Sequence, residues 1–155
     1  MKPRDLLKTA EILLSSGKRK PTQVCLRRAI SSCYYALFHC LARECADSLI
    51  GGTGAARSDK AWKQVYRALE HNYVSNQVRN KDIIKRFPKE IEDFANTFVG
   101  LQKKRHDADY DPYAKFTKSE VETDIITATQ AVATFKSASV KDRRAFCAYV
   151  LLKSR

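Results

Sequence analysis

The chain is poor in the residues that interrupt helices. Only four prolines and five glycines occur in 155 residues, and three of those glycines (Gly51, Gly52 and Gly54) fall in one short stretch. No segment alternates apolar and polar residues with period two for long enough to form a strand, which excludes a β architecture. No run approaches the roughly eighteen consecutive apolar residues of a membrane span. The opening stretch, MKPRDLLKTAEILLSS, sets Asp5 and Glu11 inside its apolar run. That argues against a secretory signal, and a cytoplasmic location is expected. Histidine is scarce and scattered (His39, His71 and His106), and no C-x-x-C pair accompanies it. No zinc site, other metal site or cofactor is therefore expected. The glycine cluster lacks a following G-K-[ST] and a preceding strand, so it reads as a connector and not a phosphate-binding loop.

Against these absences stands one long apolar stretch, Thr22 to Asp47, with no internal glycine or proline. Leu26, Ile30, Cys33, Leu37, Cys40 or Leu41, and Cys45 recur at three- and four-residue steps, the spacing of one helix face. Tyr34, Phe38 and Ala42 widen that stripe until little of the circumference is polar. A helix of this kind is expected to be contacted on more than one side, as the central helix of a bundle. Four of the five cysteines (Cys25, Cys33, Cys40 and Cys45) lie on it, with Cys147 elsewhere. Cys33 and Cys40 stand about 10.5 Å apart along the axis, too far to bridge, so buried reduced thiols are expected.

Shorter helices surround this one. Pro3 to Ser16 carries Leu6, Leu7, Ala10, Leu13 and Leu14, with Gly17 as its C-terminal cap and a short GKRK linker. Ser58 and Asp59 open a helix to about His71 with Trp62, Val65, Tyr66 and Leu69 inward. Residues 72–87 are mixed and polar and leave helix and loop open. Pro88 starts a helix whose stripe is Ile91, Phe94, Phe98, Leu101, Arg105 and Asp109. Thr117 to Glu120 forms a capping box, with Phe116 and Val121 as hydrophobic staple, before Val121, Ile125, Ala128, Val132 and Phe135. Ser139 and Asp142 cap a last basic helix. The expected fold is all-α: a single domain over residues 1–155, a four-helix up-and-down bundle with one or two additional short helices. Its core spans about 3–138, with a basic C-terminal helix at 139–153.

The net charge is +12. The excess is +5, +3 and +4 over residues 1–50, 51–100 and 101–155, so it belongs to the whole domain and not to a tail. Such a field favours anionic partners, with nucleic acid foremost.

One segment breaks the bundle pattern. The apolar stripe Phe94, Phe98, Leu101 runs straight into Arg105 on the same face. His106, Asp107, Asp109, Tyr110, Asp111 and Tyr113 follow, before Asp111-Pro112 ends the helix. Arg105 and Asp109 could be a bracing i, i+4 pair, with Tyr110 and Tyr113 packing the bundle end. Alternatively, Arg105 is a fixed cation for phosphate, which its planar fork suits, and His106 carries a proton.

Taken together, LRRAISSCYYALFHCLAR on the central helix and RHDADYDPY at the later helix end resemble the HEPN domain (higher eukaryotes and prokaryotes nucleotide-binding). The resemblance spans roughly residues 3 to 138. It implies an α-helical bundle, often dimeric, with the active groove between protomers. It also implies metal-independent ribonuclease activity, in many members of toxin or defence type. Onto the motif, Arg105 matches the arginine and His106 its polar neighbour. The histidine slot falls on Tyr110, or at wider spacing on Asp111 or Pro112. Tyrosine takes up a proton near neutral pH far less readily than the histidine it replaces.

The expected site is therefore Arg105, His106 and Tyr110 as catalytic residues, with Lys103, Lys104, Arg105, Asp109 and Tyr113 contacting RNA. The resemblance supports two readings: an RNA-associated module, if an enzyme a metal-independent endoribonuclease, or a non-catalytic homodimerising or partner-binding bundle. Its partner in the second reading is a nucleotidyltransferase-like antitoxin. A third option is nucleic-acid binding through Arg143, Arg144, Lys153 and Arg155 on the last helix. His71 reads as a surface or packing histidine and His39 as an interior one that could face the same groove.

Overall fold

In the computed structural model, which describes residues 1–16, 20–54 and 56–154, the chain is a bundle of helices. They are α1 (Pro3–Ser15), α2 (Gln23–Ile50), α3 (Asp59–Ala68), α4 (His71–Arg79), α5 (Lys81–Ile84), α6 (Lys89–Tyr110), α7 (Lys118–Ser137) and α8 (Val140–Leu151). No strand occurs among the described residues. The cap expected at Gly17, the linker residues 17–19, Ala55 of the glycine loop and Arg155 lie outside them.

The central helix begins where its sequence predicts and runs three residues beyond Asp47, to Ile50. Thr22 precedes it in extended conformation and its hydroxyl accepts the Cys25 N–H at 3.2 Å, an N-cap that satisfies one of the first free donors. Cys33, Tyr34, Ala36 and Leu37 are all fully buried. At 100° per residue those four positions cover one broad side of the helix, and Ser32, Tyr35 and His39 on the other side are half-buried. The neighbours match that demand, since α1, α3, α6, α7 and α8 all pack on α2.

Directions follow from the contacts. Ser16, at the end of α1, donates to Cys25 Sγ near the start of α2. Pro3 and Arg4 at the start of α1 share a hollow with Arg43 and Glu44 toward the end of α2, so the two helices are antiparallel. α6 also runs against α2, since its end meets the start of α2 through Ala108 and Arg27. α7 runs with α2. Its approach is pinned at Gln23, whose amide both donates to the Phe116 carbonyl (2.8 Å) and accepts the Phe116 N–H (3.0 Å). The expected capping box is present, with Thr117 Oγ1 accepting from the Glu120 N–H and Glu120 accepting from the Thr117 N–H.

Among the described residues four helices stand beside α1, α2, α6 and α7, more than the one or two expected. The difference arises at residues 71–84. The helix begun at Ser58 stops at Ala68, and the polar stretch beyond folds as α4 and the single turn α5. Val74, Val78 and Ile84 are buried there. Gln77 and Tyr149 exchange side-chain and backbone hydrogen bonds, both at 2.9 Å, which lock α4 onto α8. The core also continues past residue 138, because α8 contributes Phe146, Cys147 and Val150. Phe94, Phe135 and Phe146 meet at its centre, with Phe94 and Phe135 stacked at 4.4 Å. All five cysteines are free thiols, and all but Cys25 are buried. Burial pushes the Cys33 and Cys40 thiols up to about 12, which keeps them protonated and inert.

Candidate functional site

α6 ends against the first turns of α2, and the ending is built by Arg27. Its guanidinium donates to the carbonyls of Ala108 (3.0 Å), Asp111 (2.8 Å), Pro112 (3.4 Å) and Ala114 (2.5 Å). The last carbonyls of a helix have no partner inside it, and a cation there also meets the negative end of the helix dipole. One arginine from a neighbouring helix thus fixes where the segment after Arg105 turns away.

One turn before that end, Arg105 is held from several directions. Its Nε lies 2.8 Å from Asp109 Oδ2 as an i, i+4 ion pair, although the N–H is angled off the hydrogen-bond line. Nη2 donates to the Tyr35 hydroxyl at 2.8 Å. The guanidinium lies 5.4–5.7 Å from the ring centres of Tyr34, Tyr35 and Tyr110. Asp109 in turn accepts from Ser31 Oγ at 2.6 Å, which ties the pair back to α2. No described hydrogen bond uses Nη1. Burial works against the charge, but Tyr35, Asp109 and Tyr110 outweigh it and hold the guanidinium pKa above its ordinary value. Arg105 is a fixed and permanent cation.

It lines a cleft of about 560 Å3 between α4 and α6. His71, Arg79, Lys103, Arg105 and His106 face this cleft against a single carboxylate, Asp107. Asn72, Ser75, Asn76 and Gln102 supply neutral polar groups. Of the residues expected at the site, the cleft gathers Lys103, Arg105 and His106. Tyr110 and Asp109 line a neighbouring hollow with Arg27 and Arg28, and the Tyr110 ring meets that of His106 at 5.0 Å. Lys104 points the other way, to Asp124 of α7 at 2.7 Å. Tyr113 lies past the helix end and is 88% exposed.

The residue that sequence spacing passes over is His71. It opens α4, and its ring is fixed by three contacts. Nδ1 shares a 2.6 Å hydrogen bond with the Tyr34 hydroxyl, the face stacks on Phe38 at 3.8 Å, and Tyr35 meets it edge-on. Its backbone carbonyl accepts from Gln102 of α6. Burial, then the charge of Arg105, then His39, lower its pKa, so at neutral pH the imidazole is neutral. His39 is half-buried on the adjoining face of α2, bonded to the Tyr66 hydroxyl at 2.6 Å, and burial lowers its pKa too. No spacing rule connects His71 to Tyr34, 37 positions earlier, and only the packing of α4 makes the link.

These two histidines give the fold an acid limit. Each binds a proton less readily in the folded than in the unfolded chain. Their contribution to stability is therefore complete above the ordinary value of 6.5 and is lost as the pH falls below it. The melting temperature should fall between about pH 7 and pH 5, and should fall less in a His39→Gln/His71→Gln double variant. Parallel melting curves for both proteins across that range would contradict the assignment.

The last helix offers less than its sequence suggests. Arg143 is bound to Glu44 (2.6 Å) and to the Ala138 carbonyl, and Lys153 lies 3.5 Å from Glu70. Among the described residues no group of three His, Cys, Asp or Glu is arranged to hold a metal ion, and no helix is long and apolar enough to cross a membrane. Comparison with family models, with curated proteins and with solved structures finds no match.

Proposed function

We propose that the chain is an HEPN-like, RNA-associated module, with α1, α2, α6 and α7 as its four-helix up-and-down core and the α4–α6 cleft as its RNA phosphate site. The observation that carries this reading is Arg105. A guanidinium sits where apolar packing should continue, braced by Tyr35 and Asp109, on the wall of a cleft with an excess of cations. A planar, permanent cation with part of its fork uncommitted suits a phosphodiester.

Neutral His71 supports a metal-independent endoribonuclease within this reading. When the ribose 2′-oxygen bonds to phosphorus and the bond to the 5′-oxygen breaks, the 2′-hydroxyl proton must pass to a base. Water can protonate the departing 5′-oxygen. The step requires the tautomer in which His71 Nδ1–H donates to the Tyr34 hydroxyl oxygen. Nε2 is then unprotonated and takes the proton, while Arg105 and Lys103 offset the growing charge on phosphorus.

The test is single-stranded RNA binding and cleavage at low salt by wild type and Arg105→Ala. Affinity should fall on the order of tenfold, the worth of one charge-assisted contact, with an unchanged helical CD spectrum. Cleavage, and any growth arrest on expression, should disappear. Wild-type protein that neither binds nor cleaves RNA would end the reading.

A second reading has its own observation: Asp109 and Tyr35 already satisfy much of Arg105, as they would if it only braced the helix end. The bundle would then act by homodimerising or by docking a protein such as a nucleotidyltransferase-like antitoxin. In that case Arg105→Ala leaves partner affinity unchanged and lowers thermal stability instead.

A further inference from the structure

On the same side of α2, a line of aromatic rings leads away from Arg105 to a second hollow. Tyr35 bonds to Arg105. The Tyr35 ring centre stands 6.1 Å from His39, His39 stacks on Tyr66 at 5.8 Å, and Tyr66 stacks on Trp62 at 5.1 Å. Tyr35, His39 and Arg43 are spaced i, i+4, i+8, about 12 Å along one helix face. At the far end, Met1, Arg43, Trp62, Lys63, Tyr66 and Arg67 line a hollow of about 280 Å3.

Its chemistry is unusual for a bundle surface. Trp62 and Tyr66 are only half-buried; Tyr66 packs against the edge of the core and Trp62 lies outside it. The Trp62 indole is anchored through Nε1 to Asp47 at 2.7 Å, and its face carries the flat guanidinium of Arg57 at 5.0 Å rather than core side chains. Lys63 and Arg67 are exposed, one turn apart on α3, and enter no described ion pair. Among the described residues no carboxylate lines the hollow itself; Asp47, which holds Trp62, also lies 3.6 Å from Arg43. Aromatic rings that accept flat partners, flanked by uncommitted cations, are what a single strand of nucleic acid uses: bases stack and phosphates pair.

We infer that the Trp62–Tyr66 hollow is a nucleobase-stacking subsite for single-stranded RNA, with Lys63 and Arg67 holding the adjoining phosphates. It extends the strand whose phosphate sits at Arg105 and so rests on the RNA reading of that cleft. The tyrosine and histidine line on α2 is the floor between the two.

Trp62 is the only tryptophan in the chain, so its emission reports this hollow alone. The experiment titrates full-length protein with an unlabelled single-stranded RNA oligomer while following tryptophan emission. Affinity is measured in parallel by anisotropy of a dye-labelled copy. Emission should change with the same midpoint as the anisotropy, and inorganic polyphosphate, which has charge but no bases, should leave it unmoved. Lys63→Ala/Arg67→Ala changes only exposed side chains. It should lose on the order of tenfold in affinity at low salt, with a salt slope shallower by about 1.4. RNA that binds while Trp62 stays silent, or that binds the double variant as tightly as wild type, overturns the subsite and leaves the Arg105 cleft standing. A polyphosphate effect equal to that of RNA overturns the base-stacking assignment. RNA that does not bind the wild type at all removes both.

Discussion

Replacing Phe94 by alanine should lower the unfolding free energy by about 3–5 kcal/mol, the range for emptying a fully buried aromatic site. The position decides the size. Phe94 is fully buried, stacks on Phe135 and meets the edge of Phe146, so its ring is where α6, α7 and α8 close on one another. A cavity there cannot be filled by one side chain relaxing, because each neighbour is held by a different helix. Domains of this size are held by about 5–15 kcal/mol, so the variant keeps little margin. In urea the midpoint should fall sharply with the slope unchanged. A shift below about 1 kcal/mol would mean that the three helices do not share one knot.

The second large effect is expected at Arg27. Arg27→Ala removes four hydrogen bonds from a charged donor to the carbonyls that end α6 and the loop after it. Hydrogen bonds from a charged group are worth about 1.5–3 kcal/mol each, but the Asp111 and Pro112 contacts are exposed and water replaces them, so the loss should be about 2–4 kcal/mol. Arg27→Lys should recover less than half, since a point donor cannot serve four oxygens at once. Hydrogen exchange should quicken first at residues 108–114, ahead of the rest of α6. Uniform destabilisation without that local signature would contradict the capping role.

Much of the fold is legible in the sequence where a short-range rule applies. The width of the stripe on α2 implies contact on more than one side, and the Thr117–Glu120 capping box marks the start of α7 to the residue. What is not legible depends on distant partners. NYVSNQVRNK has too few apolar residues to read as helix by periodicity. It becomes α4 because Val74 and Val78 find burial and Gln77 finds Tyr149. The same holds for the site. Arg105 stands out because it interrupts its own helix stripe, a local signal. His71 does not, because its meaning comes from Tyr34 and Phe38 on another helix. Lys104, one residue from Arg105, belongs to the α7 interface, since the turn of the helix carries it to Asp124. Arg27 carries no local mark of a cap that lies some eighty residues later in the chain.

The most direct test of the claim that Arg105 meets a phosphate is the salt dependence of single-stranded RNA affinity for wild type and Arg105→Ala. Each phosphate contact adds about 0.7 to the slope of log affinity against log salt. The slope for Arg105→Ala should be shallower by about that amount, with the helical spectrum unchanged. Equal slopes for the two proteins would show that Arg105 only braces the end of α6.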